Sequence, residues 1–100
     1  MEHLDAKTFK EKINSDPDGV ILDVRTPQEE VEGTIENAIN INIMDADFPE
    51  KIKNLDNSKN YYVFCRSGGR SATACEFMEE NGYSNTYNLT GGINAWNTLK

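Results

Sequence analysis

The chain has 100 residues, 37% of them hydrophobic and 27% charged, which suits one compact domain with one core and leaves little room for a second. A net charge of -7 argues against nucleic acid or an anionic membrane as the main partner, and two cysteines are too few for a disulfide framework. Cys65, Cys75 and the single His3 cannot make a typical structural zinc site, no apolar stretch approaches the ~20 residues of a membrane span, and Met1-Glu2-His3 has no signal-peptide layout, so the expected location is cytoplasmic.

His3 and Leu4 suit a short strand, and Asp5 reads as the N-cap of a helix over Ala6 to Ile13 with Phe9 and Ile13 on one face. Asp16-Pro17-Asp18-Gly19 is a turn. Val20 to Val24 is the kind of short apolar run that buried parallel strands show, with Asp23 as its oddity. A buried carboxylate needs a partner, so Asp23 is expected to hold neighbouring loops through hydrogen bonds or an ion pair. Thr26-Pro27-Gln28-Glu29 has the pattern of an N-cap, Pro at the first helical position and a Glu three residues after the Thr, which predicts a short helix ending at Gly33. Glu29, Glu30 and Glu32 read as a solvated face. Ile39, Ile41 and Ile43 alternate strictly and predict a strand over Ala38 to Ile43, followed by a helix over Pro49 to Leu55 and a polar turn over Asp56 to Asn60.

Tyr61 to Phe64 is again a strand-like apolar run, and a helical pattern covers Ser71 to Asn81. Between them lies Cys65-Arg66-Ser67-Gly68-Gly69-Arg70-Ser71, at the strand end where open α/β sheets bind ligands. Gly68 and Gly69 let the backbone curl so that successive N–H groups point inward, and the helix start adds unpaired N–H groups and the positive end of its dipole. That makes an anion cradle. A cysteine at its base is biased toward thiolate, since helix N-termini and nearby Arg depress a thiol from about 8.5 toward roughly 3.5 to 7.5. A lone Cys reads as a small buried hydrophobe. Two Arg and two Gly beside it turn the reading toward a nucleophile, Cys65, with Arg66 and Arg70 as a local positive pocket for small anions.

Further on, Ala74, Phe77 and Met78 put one face of that helix on the core, with Cys75 on the same side. Cys75 lies ten residues beyond Cys65 and is expected in the core, away from the pocket. Gly82 ends the helix, Asn85 to Leu89 predicts a last strand, and Gly91-Gly92 leads into a terminal helix carrying Trp96, read as a packing residue. Strands alternating with helices predict a parallel sheet with helices on both faces.

These residues resemble the rhodanese-like domain family. The likeness rests on Leu22-Asp23-Val24-Arg25, Glu29, Gly33 to Ile35, Ala38 to Ile41, the loop Cys65 to Ser71 and the closing Leu89 to Trp96, in an order and spacing that span nearly the whole chain. Three positions depart from the family pattern: Thr34 stands where a His is usual, Glu30 where an aromatic is common, and Asn37 where a Gly precedes the alanine. They bear on local packing and stability. The resemblance implies a single rhodanese-like domain over residues 1–100, with a mostly parallel sheet of about five short strands flanked by helices on both faces.

It also implies a sulfurtransferase. The Cys65 thiolate would take the outer sulfur of a donor such as thiosulfate as a persulfide and pass it to cyanide or a thiol or protein-thiol acceptor, in two half-reactions. The N–H groups of Arg66, Ser67, Gly68, Gly69, Arg70 and Ser71 would hold the persulfide, Arg66 and Arg70 would bind the anionic donor, and Asp23 and Arg25 would support the loop. No cofactor or metal is implied. Two other readings stay open: a persulfide carrier docking to a protein partner, and a cysteine-dependent phosphatase or arsenate reductase. The latter resembles this loop but has five residues between Cys and Arg, whereas four lie between Cys65 and Arg70. The shorter ring better fits one sulfur atom.

Overall fold

The computed structural model describes residues 1–99. Its elements alternate: β1 (Glu2–Leu4), α1 (Ala6–Asn14), β2 (Gly19–Asp23), α2 (Pro27–Val31), β3 (Ile39–Asn40), α3 (Phe48–Lys53), β4 (Asn60–Phe64), α4 (Gly69–Glu80), β5 (Thr86–Leu89) and α5 (Gly92–Trp96). The strands form one sheet in the order β1-β5-β4-β2-β3, with every pairing parallel. The caps written in the sequence do their expected work. Asp5 accepts from the Thr8 N–H at 2.8 Å, and Thr26 and Glu29 close a reciprocal capping box at the start of α2.

The pleat of β4 divides the core in two. Tyr61 and Val63 face α3 and α4, packing with Phe48, Ile52, Ala74, Cys75 and Met78. Tyr62 and Phe64 face α1 and α5, packing with Phe9 and Ile93. Helices therefore cover both faces, as the alternation of elements predicts. Fully burying a side chain of this size contributes about 1.5–3 kcal/mol, so these two clusters are the main source of stability. Trp96 packs edge-on to Phe9, with ring centroids 6.1 Å apart.

Two expectations need correcting. The strand expected over Ala38 to Ile43 shrinks to Ile39–Asn40, with Ile39 exposed and Ile41 buried. β3 is an edge strand, so one side of its ladder has no partner to keep it regular; beyond Asn40 the chain is tied to the end of β2 and the residue after it by Ile41 N–H to Asp23 O and Ile43 N–H to Val24 O. The helix after the cysteine loop begins at Gly69 rather than Ser71, because Gly68, at φ 111°, makes the turn by itself. No helix among the described residues is long and apolar enough to cross a membrane.

Candidate active site

β2 and β4 are neighbours in the sheet, yet the chain leaves them toward opposite edges, to β3 and to β5. The crevice beyond their C-terminal ends is where an open α/β sheet offers a binding site. Cys65 follows β4 there, and Asp23 and Arg25 stand at the end of β2. Cys65 is only 1% exposed. Burial pushes its thiol up, but the Ser71 hydroxyl and the N–H groups of Ser71, Gly68 and Ser67 outweigh it and hold the thiol below its ordinary value. The Gly68 nitrogen lies 3.1 Å and Ser71 Oγ 3.3 Å from Cys65 Sγ.

α5 braces the loop from beneath. The Ile93 N–H donates to Cys65 O at 2.9 Å and the Asn94 N–H to Arg66 O at 3.3 Å. This explains the Gly91-Gly92 pair: a Cβ on Gly92, at φ +59°, would lie 2.4 Å from the Arg66 carbonyl carbon and 2.5 Å from Cys65 O. The backbones touch there.

Asp23 and Arg25 form a buried fork. Arg25 Nε and Nη2 donate to Asp23 Oδ1 and Oδ2 at 2.9 and 2.8 Å, and Nη2 also reaches Gly33 O at 2.7 Å. Thr34, standing where the family pattern has a His, donates its hydroxyl to Asp23 Oδ2 at 3.1 Å. Arg25 also lies 5.4 Å over the ring of Phe64, the residue before Cys65. Asn37 adopts φ 70°, a left-handed conformation that Asn tolerates better than most residues, which accounts for its standing in for Gly.

The two loop arginines differ. Arg66 is exposed and makes no ion pair among the described residues, whereas Arg70 is clasped by Glu29 through Nη1–Oε1 at 2.7 Å and Nη2–Oε2 at 2.8 Å. Arg70, expected with Arg66 to bind an anionic donor, therefore sits in the site as half of an ion pair. Glu29, expected on a solvated face, is half-buried and held down to about 2 chiefly by that guanidinium, against the upward push of burial. A cavity of about 180 Å³ beside the loop is rimmed by Arg25, Arg66, Glu29 and Asn94. A larger one of about 670 Å³, between Trp96, Ile13 and Ile39, touches no loop residue and lies away from this chemistry.

Two residues that the sequence did not single out join the site. Asn88, in the middle of β5, hydrogen-bonds Ser71, and His3 on β1 hydrogen-bonds Asn88. An Asn inside a central strand is the sequence signal that pointed to the first, since Asn is depleted in strands. Nothing local pointed to the second.

The family model described as "Rhodanese-like domain" matches residues 5–99. The chain is similar to the Bacillus subtilis protein named "Putative sulfurtransferase YtwF", 38% identical over 96 residues that cover 96% of this chain and 90% of that one. It is 40% identical over 95 residues to a tRNA uridine(34) hydroxylase of Cytophaga hutchinsonii, covering 92% of this chain but 30% of that protein. Among solved structures, a rhodanese-like domain protein from Staphylococcus aureus superposes with a TM-score of 0.84 at 32% identity, covering 96% of this chain and 91% of that one. The match over residues 5–99 shows the family, and the superposition over 96% of the chain agrees with it: the chain belongs to the rhodanese-like domain family.

Proposed function

We propose that the protein is a sulfurtransferase that carries sulfane sulfur on Cys65. The observation that supports this most is a thiol, buried at a strand end, with the Gly68 nitrogen 3.1 Å and Ser71 Oγ 3.3 Å from its sulfur, donors that hold it below its ordinary value. Such a ring stabilises an anion on sulfur without needing a bulky ligand. The family and a relative named as a sulfurtransferase support the same chemistry.

In the first half-reaction the Cys65 thiolate attacks the outer sulfur of a donor such as thiosulfate. A sulfur–sulfur bond forms to Cys65, the donor's own sulfur–sulfur bond breaks, and sulfite leaves with the electron pair. Charge is conserved, and the new persulfide anion takes the thiolate's place under the donors of Ser67, Gly68 and Ser71. In the second, cyanide or an acceptor thiolate attacks the outer sulfur, and its bond pair returns to Cys65. Arg66, exposed at the rim, attracts the anionic donor; Arg70 keeps α2 against the loop through Glu29. Asp23 and Arg25 hold the end of β2 beside it.

Intact mass after brief incubation with thiosulfate tests this, on the wild type and on Cys65→Ser. The expected result is a gain of one sulfur atom, reversed by cyanide and absent from the variant. A folded, reduced wild type that gains nothing from thiosulfate or from a protein persulfide donor overturns the reading.

A further inference from the structure

Asn88 is a polar side chain in the middle of a sheet. It lies on β5 between β1 and β4 and is 3% exposed. Its amide is fully engaged: Oδ1 accepts from Ser71 Oγ at 2.5 Å, while Nδ2 lies 3.3 Å from Gly68 O and 3.1 Å from His3 Nδ1. His3 is its cross-strand neighbour in the β1–β5 register. The result is a continuous chain of contacts from Cys65 through Ser71 and Asn88 to an exposed histidine.

Ser71 is the point of conflict in that chain. It has one hydroxyl proton but stands within reach of three acceptors: Asn88 Oδ1 at 2.5 Å, Gly68 O at 3.2 Å and Cys65 Sγ at 3.3 Å. One proton cannot serve all three. We propose that Asn88, its amide held in place by His3, is a positioning residue that competes with Cys65 for the Ser71 proton and so limits how firmly the loop holds sulfur as an anion.

While Cys65 is a thiol, the Ser71 proton lies on Asn88, the nearest acceptor, and the S–H donates to Ser71 Oγ. When Cys65 ionises, the charged sulfur draws that proton to itself and Asn88 Oδ1 loses its donor. A buried acceptor left without a donor costs free energy, and here the cost falls on the thiolate state alone. The arrangement has a chemical use. A thiolate held too firmly is a poor nucleophile, and a persulfide held too firmly is slow to give up its outer sulfur; reactivity peaks when the thiol titrates near the ambient pH. Asn88 thus works against the loop donors. His3 contributes by accepting one Nδ2 proton while Gly68 O takes the other, which keeps Oδ1, not Nδ2, turned toward Ser71. The charged groups near the thiol, namely Arg66, the Arg70–Glu29 pair and the Asp23–Arg25 fork, make no hydrogen bond to Ser71 or Asn88 among the described residues.

This inference takes Cys65 as the reacting atom, as the sulfurtransferase reading does, but its test needs no sulfur transfer. The rate of Cys65 alkylation by iodoacetamide is followed against pH in a Cys75→Ser background, so that one thiol reports. Removing the competitor with Asn88→Leu is expected to lower the midpoint by about one unit, the scale of one charge-assisted hydrogen bond. Damage to the loop would raise it instead. Ser71→Ala raises the midpoint, and adding Asn88→Leu to it changes nothing further, because no proton is left to compete for. His3→Ala gives a smaller shift in the same direction as Asn88→Leu, and His3→Gln, which restores an acceptor, reverses it. A midpoint unchanged or raised by Asn88→Leu, or lowered equally with and without Ser71, overturns the proposal. If Asn88→Leu does not fold, equal midpoints for His3→Ala and wild type overturn it just as well. A shifted midpoint in a protein that never accepts sulfur refutes the sulfurtransferase reading and leaves the competition standing.

Discussion

Cys65 and Cys75 share one core cluster, at 1% and 0% exposure, yet their thiols are driven in opposite directions. Burial pushes Cys75 up to about 12, with the Thr86 hydroxyl and, less, the N-terminal ammonium pulling against it. Burial pushes Cys65 up as well, but four donors pull it below its ordinary value. Exposure therefore does not separate the two thiols. Donor count does. Cys75 lies within α4, where the backbone N–H groups are spent on the helix itself, while Cys65 lies just before α4, where the first-turn N–H groups have no helical partner. The same helix makes one cysteine a packing residue and the other a candidate nucleophile.

The sharpest break of that contrast is to remove each sulfur in turn. Cys65→Ser should abolish sulfur loading from thiosulfate, and Cys75→Ser should leave it nearly intact, read by intact mass; equal losses would make Cys75 a second working thiol. Next in size is Gly92→Ala, which drives a Cβ into the backbone of Cys65 and Arg66. A cost of about 2–4 kcal/mol in urea unfolding is expected, together with a Cys65 alkylation midpoint moved toward that of an ordinary thiol. An unchanged midpoint would mean that α5 does not set the donor ring.

Arginine substitutions sharpen the electrostatic side. Arg66→Ala should raise the half-saturating thiosulfate concentration by about tenfold, the scale of one hydrogen bond to a charged group. Arg70→Ala should act mainly by releasing α2; a larger rise in half-saturation for Arg70→Ala than for Arg66→Ala would return donor binding to Arg70. The smallest effect concerns acid stability. Glu29 sits at about 2 in the fold against an ordinary 4.5, so the stability it contributes is present above about 4.5 and is lost as pH falls toward 2. Glu29→Gln should flatten that part of the stability-against-pH curve by about 1 kcal/mol or less, because the pair is partly exposed and screened.

Much of this site was legible along the chain. Tyr61 to Phe64 as a buried strand, Gly68 as a turn and Asp5 and Thr26 as caps all depend on neighbours within a few residues, and local chemistry decides them. The alternation of Ile39, Ile41 and Ile43 misled, because a period of two records which faces are apolar but not whether an edge strand keeps its ladder. Glu29 misled for a different reason. Its partner Arg70 lies 41 residues away, so among Glu30 and Glu32 it reads as one more solvated carboxylate. His3 and Asn88, 85 residues apart, meet only because β1 returns to pair with β5.

By itself, then, the sequence determined the order and type of the elements, the position of Cys65 at a strand end and the glycine turn that leads from it into the next helix. These rest on hydrophobic periodicity, capping and glycine conformation, all local. Only the tertiary structure decided that Arg70 is paired while Arg66 has no ion pair among the described residues, that Gly92 must lack a side chain to let α5 reach the loop, and that the Ser71 proton has more than one claimant. Each of these is a distance between residues far apart in the chain, and such distances exist only once the strands have chosen their neighbours.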